Sequence, residues 1–177
     1  MNVDLDRNPR ARRALVRAWW ITGLLAVVCV SRLGMLDRAL VSPVSPLGIL
    51  DLQFAGSASA LNVIRDTWLA RGVLDIARES LLTDFPFMVC YGLNLVLAVA
   101  LWGTRPSAHP MMGVAAACVP FDAAENLLQI GLLEDGATTT VAQWNMVFVI
   151  AKFGCVIATL LTLGGVVWRR WRRAAQD

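Results

Sequence analysis

A chain of 177 residues that is 57% hydrophobic and 16% charged, with a mean hydropathy of +0.59, is too apolar for an ordinary water-soluble domain. Its formal charge of +3 is modest, but the arginines gather at the two ends: Arg7, Arg10, Arg12, Arg13 and Arg17, then Arg169, Arg170, Arg172 and Arg173. Both runs abut apolar stretches, so they read as juxtamembrane topology signals and no nucleic-acid partner is expected.

In chain order, residues 1–17 form a basic cytoplasmic tail and 18–36 the first membrane span. A cleavable signal peptide has the same basic-then-apolar build. No small-x-small site follows, however, and Val28 before Cys29 spoils a lipoprotein site, so the helix is read as retained. Residues 37–80 are one long polar connection on the extracytoplasmic side. They open with the breaker cluster Ser42-Pro-Val-Ser-Pro46 and continue with a short apolar piece carrying Asp51 and Gln53. After Ser57, a candidate N-cap, Leu61, Ile64 and Trp68 recur at helical spacing. The segment 57–72 is therefore an amphipathic helix, placed on the membrane surface or on top of the bundle.

The second span is 81–103, followed by a tight turn over 104–110 that contains His109; the third is 112–133, and the fourth 142–168, leaving 169–177 as a second basic tail. The spans run from 19 to 27 residues, against the roughly 20 that about 30 Å of hydrocarbon requires. Four crossings put both arginine-rich ends on one side, which the positive-inside rule makes cytoplasmic. The fold class is thus all-α: a polytopic four-helix transmembrane bundle, N-in/C-in, in a bacterial cytoplasmic (inner) membrane.

The spans carry polar stripes. Asp122, Glu125, Asn126 and Gln129 fall at i, i+3, i+4 and i+7, within an arc of about 100°. Asp84, Tyr91 and Asn94 share a face of the second span, Asn145, Lys152 and Thr159 a face of the fourth, and Thr22, Cys29 and Arg32 a face of the first. An ionisable group at membrane depth costs at least about 2.5–3.5 kcal/mol, so such stripes turn inward and find partners. Asp122 and Lys152 both lie about 15 Å from the outer ends of their helices at 1.5 Å per residue. Lys152, the one lysine in the chain, is then the counter-ion for Asp122 or Glu125, and Arg32 with Asp84 is a candidate second pair nearer the surface.

These residues make the candidate site. Asp122, Glu125 and Lys152 are the acid–base candidates, because burial and a neighbouring charge tune such groups for proton transfer. Arg32, Asp51, Gln53, Asp84, Tyr91, Asn94, Asn126, Gln129 and Asn145 are the ligand-binding candidates. Cys29, Cys90, Cys118 and Cys155 fall one per span without a C-x-x-C, and His109 has no neighbouring ligand. No disulfide framework, metal site or cofactor is expected.

The motifs Asp51-Leu-Gln-Phe-Ala-Gly56, Asp84-Phe-Pro-Phe-x-x-x-Tyr91 and Phe121-Asp-x-x-Glu-Asn126, with Trp68 between the first two, together resemble a family of small four-span bacterial membrane proteins. The resemblance implies the four-span fold and carries no activity with it. The architecture is also similar to the emopamil-binding/sigma-2 receptor fold, whose members bind or isomerise sterol-like lipids, although no motif residue transfers.

Three functions fit. The first is binding or modification of a lipid or other apolar small molecule by carboxylate acid–base chemistry, with the bilayer lipids as neighbours and 57–72 over the mouth. The second is a small proton- or ion-coupled transporter; four helices without an internal repeat make a narrow pathway, so this reading calls for a homo-oligomer. The third is a non-catalytic assembly or regulatory subunit whose polar core only locks its helices together.

Overall fold

A computed structural model of the protein describes residues 8–103 and 105–175, with the backbone alone at 105–107 and 170. Six helices account for the regular structure among these residues: α1 (Pro9–Leu40), α2 (Ile49–Phe54), α3 (Ala58–Ala70), α4 (Leu74–Trp102), α5 (Arg105–Asp135) and α6 (Thr139–Ala174). Of these, α1, α4, α5 and α6 are long and apolar enough to cross a membrane, and the chain is a multi-pass membrane protein.

The long helices contain the expected spans and overrun them. α1 starts at Pro9 and includes Arg10 to Arg17, and α6 continues through Arg173. These basic flanks are helical, not separate tails, because a cap starts the first one early: the Asn8 side chain accepts from the Ala11 amide at 3.1 Å, with Pro9 at the first helical position. The part of the expected tails at 1–7 and 176–177 lies outside the described residues. The expected turn over 104–110 is also corrected, since α5 is helical from Arg105 and takes in His109 and Pro110. Pro110 lies inside this helix, beyond its opening turn, and costs it one intrahelical hydrogen bond. The connection between the first two spans shortens accordingly to 41–73.

α1 packs along α4, α4 along α5 and α5 along α6, with a lighter seam between α4 and α6 and none comparable from α1 to α5 or α6. α1 is consequently the least enclosed helix: Ile21, Leu24, Val27, Val28 and Met35 are exposed, as side chains facing hydrocarbon can be. At the turn 136–138, Gly136 takes φ +83° and its amide bonds the Leu132 carbonyl at 2.9 Å, ending α5, while Thr138 caps α6. Along the α4–α5 seam Gly92 is buried against Val119, and a Cβ there would collide with the stiff valine methyl. Gly92→Ala is expected to cost about 1–3 kcal/mol. Thermal unfolding in detergent checks this, and Gly92→Ala combined with Val119→Ala should recover most of the loss.

α3 settles on top of the bundle. Leu61, Ile64 and Trp68 turn inward and join Leu40, Leu52, Leu81, Leu132 and Leu133 in one buried apolar cluster. The ends of two long helices are tied to it. Trp68 Nε1 donates to the Leu40 carbonyl at 2.8 Å, and the Arg71 guanidinium donates to Val41 at 2.9 Å and Ala39 at 3.0 Å, closing the end of α1. Arg65 donates to the carbonyls of Leu133 at 3.0 Å and Glu134 at 2.9 Å, and Asn62 exchanges two bonds with Ala137, closing the end of α5. A helix end leaves its last carbonyls without partners; α3 supplies donors for two such ends at once. Ser57 is its N-cap, accepting from the Ala60 amide at 3.2 Å.

Candidate functional site

Inside α4, α5 and α6 the polar stripes meet. Lys152, nearly without exposure, reaches Asp122 Oδ1 at 3.0 Å and Glu125 Oε2 at 2.6 Å, so it pairs with both carboxylates and not with one of them. Tyr91 donates its hydroxyl to Asp122 Oδ2 at 2.6 Å, and Gln129 Nε2 donates to Glu125 Oε1 at 3.0 Å. Every carboxylate oxygen of Asp122 and Glu125 is therefore engaged. The same Gln129 nitrogen donates to Asn145 Oδ1 at 2.9 Å, and Asn145 Nδ2 donates to the backbone carbonyl of Gln53 at 2.8 Å. A chain of contacts thus runs from Tyr91 on α4 through α5 and α6 to α2.

Asp84 occupies the edge of this cluster. It is half-buried, and Asn126 Nδ2 donates to its Oδ2 at 2.7 Å. Among the described residues no cation stands within ion-pair distance of it, and the Asp122 carboxylate is within electrostatic reach. With every acid ionised, three carboxylates would face one ammonium.

The network also leaves acceptors open. Gln53 Oε1, Asn126 Oδ1 and Gln129 Oε1 are buried without a hydrogen-bond partner. For Asn126 and Gln129 the amide cannot be turned to cure this, because each nitrogen already faces a carboxylate or a carbonyl oxygen. A buried polar atom without a partner costs about 1–3 kcal/mol.

Three expected site residues lie elsewhere. Arg32 is exposed and pairs with Glu79, not with Asp84: α1 meets only the flank of α4, so Arg32 turns toward the residue on that flank. Asn94 donates to the Trp19 carbonyl at 2.7 Å and Thr22 Oγ1 at 3.1 Å, joining α4 to α1. Asp51 accepts from the Leu47 amide at 2.5 Å and so stabilises the start of α2. Gln53 does enter the cluster, but through its backbone carbonyl, which no side-chain pattern announces. Glu79 went unremarked in the sequence; its signal was an acid on the second long helix close in depth to Arg32.

All four cysteines are free thiols. Among the described residues no three His, Cys, Asp or Glu side chains are grouped as a metal ion would require. An apolar groove of about 170 Å³, lined by Val89, Gly92, Leu93, Val96, Ala116 and Val119, runs on the α4–α5 seam and includes none of the cluster residues.

No known family, curated protein or solved structure matches this chain. The resemblance to small four-span membrane proteins therefore rests on its three motifs alone.

Proposed function

We propose that this is an inner-membrane protein with both termini in the cytoplasm, and that its polar cluster binds or modifies a lipidic or other apolar small molecule through carboxylate chemistry. The arginines at the start of α1 and the end of α6 support that orientation. The observation that carries the functional reading is the set of open acceptors on Gln53, Asn126 and Gln129. A network serving only to lock helices gains from closing on itself, since each open group costs stability. Here the acceptors stay open beside a charged triad of Asp122, Glu125 and Lys152, and a ligand's hydrogen-bond donor completes them. The triad sets the field in which that donor sits.

The test is to purify the protein in mild detergent and identify co-purifying small molecules by mass spectrometry, comparing wild type with Asn126→Leu. Loss of one hydrogen bond of this kind weakens binding by about 1–3 kcal/mol, so a defined apolar molecule should fall about tenfold or more in the variant. Thermal unfolding of both samples shows whether the comparison is between folded proteins. No defined molecule in the wild type would sink the ligand reading. Flux driven by a pH gradient in reconstituted vesicles would establish the transporter in its place.

A further inference from the structure

The connection that leaves α1 is built inside out. Between Val41 and Ala55 every exposed residue is apolar, Val44, Leu47, Leu50 and Phe54 among them, with Leu47 61% and Phe54 53% exposed. The polar side chains of the same stretch, Ser42, Ser45, Asp51 and Gln53, are buried or half-buried. A loop in water has the opposite arrangement, and a continuous apolar patch marks a surface that something apolar covers. The backbone is closed in the same way. Ser42 and Ser45 exchange two backbone hydrogen bonds at 3.1 Å, and the Ser45 hydroxyl donates to the Leu40 carbonyl at 2.9 Å. The Gly48 amide bonds the Ser45 carbonyl at 3.0 Å, while the Leu47 and Ile49 amides donate to the carboxylates of Asp51 and Asp37. Pro43 and Pro46 have no N–H to leave open. Backbone that leaves a regular helix at membrane depth has to satisfy its polar groups within the protein, as this stretch does.

α2 also reaches below the end of its neighbour. Phe54 stacks on Phe153 of α6 with ring centroids 5.4 Å apart, and the Gln53 carbonyl accepts from Asn145 at 2.8 Å. Trp144, exposed on α6, marks the aromatic belt. Phe153 stands about 13 Å further along the helix at 1.5 Å per residue. A side chain leaning back by one turn still leaves its ring, and that of Phe54, beneath the belt. Ile150 and Ile157 flank Phe153 at helical spacing and are exposed, so the apolar face of α2 continues a surface of α6 that faces hydrocarbon. We infer that the stretch from Val41 to Phe54 is a re-entrant segment, with α2 immersed among the acyl chains of the leaflet on the side of the 136–138 turn. Immersion of α2 requires neither the ligand nor the orientation proposed above.

A spin label reports which medium surrounds α2. The full-length protein carrying Cys29→Ala, Cys90→Ala, Cys118→Ala and Cys155→Ala would receive a nitroxide at Leu50→Cys or Phe54→Cys and be reconstituted into phosphatidylcholine vesicles. Molecular oxygen concentrates in hydrocarbon and a neutral nickel chelate in water, so their relative collision rates with the label read its surroundings. Oxygen collisions should exceed nickel collisions several-fold at both positions, as at Leu160→Cys on the exposed face of α6. The order should reverse at Asp66→Cys on α3, where the side chain is 65% exposed. A nickel excess at Leu50→Cys and Phe54→Cys would place the segment in water and overturn its immersion. Low rates with both reagents would mean that protein covers this face, a second copy or another chain, and would overturn it equally. Thermal unfolding checks the cysteine-free background. If that background does not fold, Leu50→Cys and Asp66→Cys would be compared in the natural one with N-ethylmaleimide, which reacts with thiols in water, and the adducts located by peptide mass spectrometry. Labelling confined to Asp66→Cys supports immersion, and equal labelling of the two overturns it.

Discussion

Lys152→Met is expected to destabilise the protein by about 3–5 kcal/mol, the cost of leaving buried charge without its partner. Methionine keeps most of the length of the lysine stem, so the loss is electrostatic and not a cavity. Asp122 and Glu125 both depend on this ammonium, at 3.0 and 2.6 Å, and the next cation available to either would have to come from outside the bundle. The measurement is thermal unfolding in detergent, together with the yield of folded protein from membranes. The triple variant Lys152→Met, Asp122→Asn, Glu125→Gln should regain most of the loss, because it removes the charges along with their partner. Unfolding of Lys152→Met at the wild-type temperature would mean that the two acids do not depend on the lysine, and the triad would not be an ion cluster at all. Residues in one network do not contribute additively, so the recovery in the triple variant is the informative quantity.

Trp68→Ala is expected to cost a similar amount, about 3–5 kcal/mol, for a different reason. Trp68 is the largest wholly buried side chain among the described residues, and its indole nitrogen donates to the Leu40 carbonyl at the end of α1 and to Ser45 Oγ at 3.1 Å. Its removal opens a cavity between α3 and the long helices and takes one of two donors from the Leu40 carbonyl, which keeps Ser45 Oγ at 2.9 Å. The effect should concentrate in the 41–73 connection, so limited proteolysis there should accelerate before the long helices unfold. Leu69→Ala, one position along the same helix at a side chain 56% exposed, is the control and should change stability by no more than about 0.5 kcal/mol. Equal protease sensitivity in the two variants would show that α3 is not anchored through its tryptophan.

Much of this was legible in the sequence, and the reasons differ residue by residue. Hydropathy locates the four spans because a bilayer demands long apolar runs, but it is blind to where a helix ends beyond them. Arginine is a good helix former, so Arg10 to Arg17 and Arg169 to Arg173 extend α1 and α6 into regions that hydropathy assigns to tails. The meeting of Lys152 with Asp122 and Glu125 follows from matched depth on two helices joined by a short turn, where the neighbour is not in doubt. The pairing of Arg32 with Asp84 fails for the converse reason. A stripe gives an angle on one helix and says nothing about which neighbour that angle faces; α4 is the long helix against which α1 chiefly packs. Asn94 was drawn to that same seam. For α3, amphipathic spacing is satisfied equally by a membrane surface and by the top of a bundle. The choice is made by Arg65, Arg71 and Asn62, whose partners are backbone carbonyls far away in the chain.

The short 136–138 turn joins two helices on which Asp122 and Lys152 stand equally far from it, with Glu125 about one helical turn nearer. During synthesis α5 reaches the membrane first, and a solitary α5 would expose both acids to hydrocarbon at about 2.5–3.5 kcal/mol each. A solitary α6 would carry its ammonium in the same way. Entering side by side, the two segments neutralise each other before either meets lipid. Entry as an α5–α6 hairpin therefore costs less than entry of either helix alone.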